Sequence, residues 1–313
     1  MDYKILFAGS GEFGATILEK LAGSKFRPLA VITQPDKPIG RKQIPSPSRA
    51  KKIALEFGLE TLEPKSLKSN EAEEIIKKYE PDLIVVADYG KIIPKNILDI
   101  PKFGAINIHP SSLPRHRGAT PIQHTILEGD KETGVTIILM DEQVDHGKIL
   151  NQKSGIKIQN LGYIELLKNL AEVGGDLILE TIPPWLAGEI KPVTQDESRA
   201  TYTKILTRED GKINWQKSAE EINRQVKAFE GWPGAWCVWP EENKKLKILS
   251  AEISKQNLYD HAGQVSVSPD GEMLITTQKG ALKINELQLE GKTKITGQEF
   301  LRGYPKIVES ILS

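Results

Sequence analysis

The sequence has little of what marks several classes of protein. Of its 313 residues only one is a cysteine, Cys237, which excludes an intrachain disulfide and a cysteine-rich metal site. No stretch approaches about 18 uninterrupted apolar residues, so we expect no membrane span. Lys+Arg and Asp+Glu are both 42, so net charge does not decide for or against a polyanionic partner.

The absences extend to targeting and metal-binding patterns. The first residues, MDYKILFAGSGEFG, lack the apolar core of a signal peptide and the Arg/Ser-rich character of a transit peptide. We therefore expect a cytoplasmic protein. The histidines follow neither an H-x3-H spacing nor a Cys/His ligand pattern, so we expect no metal.

Strand and helix patterns alternate through residues 1–188. Continuous β-branched runs such as 82–87 are typical of parallel strands buried on both faces. The alternation predicts a Rossmann-like, doubly wound, mostly parallel α/β sheet. Ligands of such sheets bind beyond the carboxyl ends of the strands, and we expect the loops after Ala87, His109 and Met140 to leave such ends together.

The pattern changes after the helix that we predict to stop at Ile182, before Pro183-Pro184. Residues 189–205 lack a hydrophobic period and are interpreted as a linker. Several short strand patterns follow, with a hairpin turn signal at Ser268–Gly271. They predict a smaller, OB-like β-barrel domain over 206–313, a type of fold that often binds nucleic acid.

The stretch from Ala105 to Pro121 has the densest group of reactive side chains. Because side chains alternate along a strand, Asn107 and His109 should project from one face while their neighbours face the core. An amide donor beside an imidazole suits attack on a carbonyl group. A nearby carboxylate such as Asp145 would orient the ring. The residues alone also fit satisfied structural polar groups at a strand end.

Two further segments carry alternative interpretations. The turn Gly9–Gly14 is a literal G-x-G-x-x-G, and Asp36 follows about 20 residues later, as in a dinucleotide-binding site. The match is weak because Asp36 lies beyond the strand and not at its tip, so we favour a tight turn and close helix packing as the reason for the glycines. Segment 34–52 is basic, rich in proline and without a hydrophobic period, so we expect an exposed loop that either contacts phosphates or is simply solvated.

The chain resembles the folate-dependent formyltransferases. The resemblance rests on Asn107-x-His109 with the following Ser111–Ile122 segment, and on Asp145 within Met140-Asp141-x-x-x-Asp145-x-Gly147. It covers essentially the whole chain. The Thr33–Arg41 loop and the β-rich C-terminal region are similar to the branch of the family that formylates methionine on initiator tRNA.

This resemblance implies transfer of a formyl group from 10-formyltetrahydrofolate to the α-amine of methionine on initiator methionyl-tRNA. It implies that Asn107, His109 and Asp145 are catalytic. It implies folate contacts by Ser111, Ser112, Leu113, Pro114, Ala87, Tyr89, Ile92 and Asp141. It implies tRNA contacts by Arg41, Lys42, Lys37 and Arg49. We expect a monomer with no membrane partner.

Three alternatives remain beside this interpretation. A formyltransferase acting on a sugar nucleotide or another small amine would share the catalytic residues. An NADP-dependent oxidoreductase would use the Gly9–Gly14 turn, and a non-catalytic RNA-binding protein would need neither. The chain departs from the family pattern in Gly9-Ser10-Gly11-Glu12-Phe13-Gly14 and in Ser112, where Leu is usual.

Overall fold

The computed structural model describes residues 3–39, 44–256 and 261–313. The chain divides into two compact units. Unit 1 comprises Met1–Pro121, Lys131–Ile158 and Glu165–Lys204, and unit 2 comprises Ile122–Asp130, Gln159–Ile164 and Ile205–Ser313. Within the described ranges, no helix combines the length and the apolar composition that crossing a membrane requires.

The secondary structure follows in chain order. The strands are β1 (Ile5–Gly9), β2 (Ala30–Ile32), β3 (Lys37–Ile39), β4 (Ile44–Ser46), β5 (Glu60–Leu62), β6 (Leu83–Ala87), β7 (Ala105–His109), β8 (Arg117–Gly118), β9 (Glu132–Leu139), β10 (Lys148–Lys157), β11 (Tyr202–Thr203), β12 (Ala235–Trp239), β13 (Lys244–Ile253), β14 (Val265–Val267), β15 (Met273–Thr276), β16 (Ala281–Leu289) and β17 (Lys294–Thr296). The helices are α1 (Glu12–Ala22), α2 (Arg49–Glu56), α3 (Asn70–Lys78), α4 (Lys95–Leu98), α5 (Pro121–Leu127), α6 (Tyr163–Leu186), α7 (Ala219–Ala228) and α8 (Gly297–Gly303).

Unit 1 is built on a sheet that, within the described residues, has seven strands in the order β10-β9-β7-β6-β1-β2-β5. The strands from β7 to β5 are parallel to one another, whereas β9 is antiparallel to β7 and β10 is antiparallel to β9. The chain winds from β1 to both sides. The predicted Rossmann-like, mostly parallel sheet is confirmed.

The central strands are buried on both faces, as their continuous apolar runs predict. On one face Leu6 and Ile84 pack in a cluster with Ile76 of α3. On the other face α6 lies so close to β7 that a Cβ at Gly174 would be 3.1 Å from the Ile108 side chain. Helices therefore cover both sides of the sheet.

Some strands have no hydrophobic signal in the sequence. In the edge strand β10, only Leu150 among its ten residues is buried, so the pattern there is polar on both faces. Segment 34–52 was expected to be a loop, but its described parts pair as an antiparallel β3–β4 hairpin, with Lys37 opposite Ser46. Lys37 and Ile44 are exposed, so the hairpin lies outside the core, as expected.

Helix α6 passes the point where it was predicted to stop. It continues through Pro183 and Pro184 to Leu186, although proline lacks the N–H that a helix interior needs. The indole N–H of Trp185 donates to the carbonyl oxygen of Phe103 at 3.0 Å, and Leu186 is buried. Tertiary packing therefore holds this last turn in place of the missing helical hydrogen bonds.

Residues 189–204 belong to unit 1. Val193 and Ile149 exchange backbone hydrogen bonds of 2.8 and 2.9 Å. Further along, β11 pairs in parallel with β8. The segment interpreted from sequence as a linker thus carries edge pairings of unit 1.

Unit 2 contains an antiparallel sheet in the order β12-β13-β16-β15-β14, with β17 also paired to β16. The predicted hairpin turn joins β14 to β15, and the Gly271 N–H donates to the Ser268 carbonyl oxygen at 2.9 Å. Phe300 of α8 is buried in the same core as Trp239 and Leu246. This curled half-barrel confirms the predicted OB-like domain.

The turn between β1 and α1 needs its glycines because the end of β6 lies against it. A Cβ at Gly11 would be 1.8 Å from a carboxylate oxygen of Asp88. A Cβ at Gly14 would be 2.3 Å from the carbonyl oxygen of Ala87. Close packing of the turn and helix α1 against the end of β6 therefore accounts for the G-x-G-x-x-G motif.

We predict that Gly14→Ala destabilises unit 1 by about 2 kcal/mol, because a backbone oxygen cannot move aside as a flexible side chain can. Gly303→Ala is the matched control, since a Cβ there meets nothing within 4 Å. That variant should be neutral or stabilising by up to about 1 kcal/mol through helix propensity. Urea denaturation measures both, and equal stability of Gly14→Ala and the unmodified protein would refute the packing explanation.

Candidate active site

Strand β7 places Asn107 and His109 on one face of the sheet, as the alternation of side chains predicts. Asn107 is opposite Val86 of β6 and His109 is opposite Thr136 of β9. Asn107 is half-buried and His109 is only 4% exposed. The two side chains therefore lie together at the carboxyl end of a strand, largely shielded from water.

Asp145 reaches this pair from an unexpected direction. Because β9 is antiparallel to β7, Met140 leaves the sheet at the edge where β7 begins, and its N–H donates to the Ala105 carbonyl oxygen at 2.8 Å. The expectation that the loop after Met140 leaves the same edge as those after Ala87 and His109 is therefore wrong. Instead, residues 140–147 fold back over the face of the sheet and bring Asp145 to β7.

The Asp145 carboxylate joins three groups. Its Oδ1 accepts a hydrogen bond from Asn107 Nδ2 at 3.2 Å. Its Oδ2 accepts one from the Gly118 N–H at 2.8 Å and lies 3.5 Å from His109 Nδ1. The structure thus brings together the three residues proposed from sequence as catalytic, and adds a backbone donor to them.

The contacts of His109 decide which of its nitrogens can take part in chemistry. Nε2 is 2.9 Å from the carbonyl oxygen of His116, which can only accept a hydrogen bond. Nε2 therefore carries a hydrogen, and Nδ1 is the nitrogen that can gain or lose a proton. Nδ1 faces the Asp145 carboxylate, and 3.5 Å separates it from Oδ2.

The backbone of Asp145 is also unusual. Its φ of +48° lies in the left-handed region, which costs a non-glycine residue roughly 1–2 kcal/mol. Gln195 Nε2 donates to the carbonyl oxygens of both Asp145 and Gly147, each at 2.8 Å. Sequence reasoning missed Gln195, since it lies in a stretch without any pattern. It also gave no role to Arg117, a fully buried cation that contacts Gln195.

The residues proposed for folate differ in what they offer to a ligand. Ser112, Pro114 and Asp141 are half-buried and Ile92 is 69% exposed, so these side chains are accessible. The others are buried, and a ligand would meet only their backbone or the shape that they support. These are Ser111, Leu113, Ala87 and Tyr89.

Hydrogen bonds hold the Ser111–Pro114 segment in one conformation. The Ser111 hydroxyl donates to the Arg115 carbonyl oxygen at 2.7 Å. Thr136 Oγ1 donates to the Ser111 carbonyl oxygen at 2.7 Å and accepts from the Leu113 N–H at 3.1 Å. A rigid segment directly after His109 fits a wall for a flat heterocyclic ligand, because it loses little entropy on binding.

The residues proposed for tRNA are only partly within the described chain. Lys37 is exposed, and its ammonium group lies 2.5 Å from Gln34 Oε1. Arg49 begins α2 and pairs with Glu12 at 2.9 Å, with 62% of its side chain exposed. Arg41 and Lys42 lie outside the described residues.

The acid that would bind a ribose in a dinucleotide site is engaged otherwise. Asp36 pairs with the ammonium group of Lys51 at 2.7 Å, and Lys51 also pairs with Glu63 at 2.8 Å. These bonds raise the pKa of Lys51, that to Asp36 contributing most. Together with the packing role of the glycines, this leaves the oxidoreductase alternative without a distinctive feature.

Asp88, at the end of β6, has a perturbed carboxyl group. Asp88 as a residue is exposed to solvent, although the Gly9–Gly14 turn lies against its carboxylate. Desolvation, reinforced by the charge of Glu12, raises its pKa from 3.8 to about 6, against a lowering contribution from the Phe13 N–H. The folded protein therefore holds this proton more tightly than the unfolded chain does.

We predict that Asp88→Asn stabilises the protein at about pH 7 and changes little at about pH 4. Because the pKa of Asp88 is raised in the folded protein, the free energy of unfolding falls as pH rises from about 4 to above about 6 and the carboxyl group ionises. The asparagine cannot ionise, so it avoids this loss. The gain in stability at about pH 7 will be smaller than the pKa shift alone implies, because water screens the carboxyl group of Asp88. Thermal unfolding midpoints at both pH values test this, and a stabilisation equal at the two would contradict it.

Two family models match the chain. The model described as formyl transferase matches residues 3–182, and the model described as formyl transferase, C-terminal domain, matches residues 205–305. The first contains all the residues of the cluster around Asp145 except Gln195. The second covers most of the half-barrel unit.

Curated relatives match over nearly their whole length. A methionyl-tRNA formyltransferase of Caldicellulosiruptor saccharolyticus is 42% identical, with 99% of each chain covered. One of Halalkalibacterium halodurans is 37% identical over 96% of this chain and 94% of its own. The similarity therefore includes both units.

Solved structures share the fold. HypX from Aquifex aeolicus, in complex with tetrahydrofolic acid, has a TM-score of 0.66 at 19% identity, covering 99% of this chain. The match spans 49% of that longer protein. WlaRD, a sugar 3N-formyl transferase, has a TM-score of 0.63 at 21% identity, covering 94% of this chain and 100% of its own. At these identities the likeness concerns the fold alone.

Proposed function

The chain belongs to the formyl transferase family, and we propose that it transfers the formyl group of 10-formyltetrahydrofolate to the α-amine of methionine on initiator methionyl-tRNA. The observation that carries this proposal is the Asp145 carboxylate, which binds Asn107 and faces His109 Nδ1. The cluster combines an amide donor with an imidazole and a carboxylate, as formyl transfer to an amine requires.

Asn107 is suited to stabilise the developing oxyanion. An amide nitrogen has two hydrogens, and the bond to Asp145 uses one of them. The second can donate to the formyl oxygen as the amine attacks and the carbonyl carbon becomes tetrahedral. Asp145 fixes the plane of this amide, so the donor is oriented before the substrate arrives.

His109 and Asp145 are suited to move the proton. The amine nitrogen forms a bond to the formyl carbon and loses one proton, which we assign to His109 Nδ1. Asp145 stabilises the positively charged imidazolium of His109. The imidazolium in turn helps to stabilise the oxyanion. The bond from the formyl carbon to N10 of the folate then breaks as N10 receives the proton. The products are formyl-methionyl-tRNA and tetrahydrofolate.

We further propose that the basic segment 34–52, which includes the β3–β4 hairpin, contacts the phosphates of the tRNA. We also propose that the enzyme works as a cytoplasmic monomer. The ion pairs of Lys51 with Asp36 and Glu63 hold the base of the hairpin, while Lys37 is exposed. Asn107, His109 and Asp145 come from one chain, so the site needs no second copy. Charged initiator tRNA is a cytoplasmic substrate.

The direct experiment incubates the protein with 10-formyltetrahydrofolate and methionine-charged initiator tRNA, followed by mass analysis of the aminoacyl group. We expect a mass increase of one formyl group, dependent on the folate. A nucleotide-linked amino sugar in a parallel reaction tests the sugar formyltransferase alternative. Formylation of the sugar without formylation of the tRNA would overturn the proposal.

We predict that Asn107→Ala, His109→Ala and Asp145→Ala each lower kcat by at least about 100-fold, while tRNA affinity stays within about threefold. The matched control is Asn151→Ala on β10, whose amide donates to Thr181 Oγ1 at 3.0 Å, away from the cluster. This control should retain near-normal kcat. Near-normal turnover by His109→Ala would show that the assigned mechanism is wrong.

We predict that Arg41→Ala raises the KM for tRNA and weakens the dependence of tRNA affinity on salt. The physical reason is that each phosphate contact releases counterions, so that losing one lowers the slope of log affinity against log salt by about 1. Lys157→Ala is the control, because Lys157 is an exposed lysine that pairs with Glu132 at 2.9 Å. An unchanged slope for Arg41→Ala would refute the phosphate contact.

A further inference from the structure

Gln195 is a buried amide placed between two loops of unit 1. It is 5% exposed, and its Nε2 donates to the carbonyl oxygens of Asp145 and Gly147 at 2.8 Å each. Both hydrogens of the amide are therefore used on the segment that carries the Asp145 carboxylate. A Cβ at Gly147 would be 1.9 Å from the carbonyl oxygen of Leu139. The end of this segment therefore packs closely against β9.

The other end of the same amide is held by a buried cation. Arg117 is fully buried, and its Nε and Nη2 donate to Gln195 Oε1 at 3.1 and 2.9 Å. An arginine can only donate and a carbonyl can only accept, so the orientation of the Gln195 amide is determined by chemistry. The oxygen faces Arg117 and the nitrogen faces the Asp145 segment.

Arg117 is itself locked in place. Both its Nη atoms donate to the Glu197 carboxylate, at 3.0 and 2.6 Å, and Nη1 also donates to the Tyr202 hydroxyl at 2.9 Å. The hydrogen bonds to Glu197 raise the pKa of Arg117 above its ordinary value. The cation stays charged, so its hold on Gln195 does not depend on pH in the working range.

Strand β8 acts on Asp145 by two routes. Gly118 donates its N–H directly to the Asp145 carboxylate at 2.8 Å. The preceding residue, Arg117, acts on the backbone of Asp145 through Gln195. One route fixes the carboxylate, and the other supports the left-handed backbone from which it projects.

We propose that Gln195, oriented by Arg117, is a positioning residue that sets the Asp145 carboxylate against Asn107 and His109 for the transfer step. The proposal rests on the function proposed above. Gln195 does not touch the reacting atoms. It acts through the backbone of Asp145 and Gly147, so its loss should lower kcat rather than weaken the binding of either substrate.

The simpler possibility is that Gln195 only satisfies the buried charge of Arg117. Two variants separate these roles. Gln195→Leu removes both functions of the amide. Gln195→Glu keeps an acceptor for Arg117 and strengthens it with a charge, but removes both donors to the Asp145 segment.

Unit 2 supplies a matched control. Gln225 is 7% exposed, and its Nε2 donates to the carbonyl oxygens of Asp210 and Lys212 at 3.2 Å each. It is therefore a buried glutamine that joins two carbonyl groups, as Gln195 does, in the half-barrel unit. Gln225→Leu should cost stability without changing kcat.

The experiment measures kcat, both KM values and the thermal unfolding midpoint for the unmodified enzyme and these three variants. We expect Gln195→Leu and Gln195→Glu to lower kcat by at least about 10-fold with KM values within about threefold. Gln195→Glu should lower the unfolding midpoint less than Gln195→Leu does, because it keeps a partner for Arg117 although it leaves the carbonyl oxygens of Asp145 and Gly147 without a donor. Hydrogen exchange of residues 141–147 should quicken in both.

Near-normal kcat in Gln195→Glu would overturn the proposal, since Arg117 would then be the only partner that matters. An equal loss of kcat in Gln225→Leu would overturn it as well. Failure of the proposed function has a different signature, because the unmodified enzyme would then show no formyl transfer. The exchange of residues 141–147 would still report whether Gln195 holds the Asp145 segment.

Discussion

The Asp145 carboxylate accepts hydrogen bonds from Asn107 on β7 and from the Gly118 backbone on β8, and it faces His109 Nδ1. A carboxylate that is ionised and largely removed from water must have such partners, since an unpaired buried charge is costly. The partners come from β7 and β8, so these two strands and the loop that carries Asp145 meet at the carboxylate. In the proposed mechanism, this arrangement leaves one amide hydrogen of Asn107 for a substrate and holds His109 Nδ1 beside the carboxylate.

Close packing of helices on the sheet of unit 1 supports the strands that carry this cluster. The glycines of the β1–α1 turn let the end of β6 lie against it, and α6 presents Gly174 to Ile108 of β7. The first approach packs α1 against the end of β6, and the second packs α6 against β7. Because β7 is bordered by a parallel and an antiparallel strand, Asp145 comes from a loop that crosses the face of the sheet.

Much of this could be predicted from sequence where burial is two-sided. β1 and β6 are apolar throughout, and the alternation around Asn107 and His109 has the period of a strand. β10 could not be predicted, because it is a polar edge strand held by pairing to β9. Gln195 and Arg117 were missed for a related reason: their roles depend on contacts 78 residues apart, which no local pattern records.

The central claim is that His109 and Asp145 act as one unit in the transfer step. Single-turnover rates of formyl transfer for His109→Ala, Asp145→Ala and the double variant test it most directly. Residues that act as a unit are non-additive, so the double variant should lose about as much rate as the more impaired single variant. If instead the two losses multiply, the residues act independently, and the joint role of His109 and Asp145 in proton transfer would be contradicted.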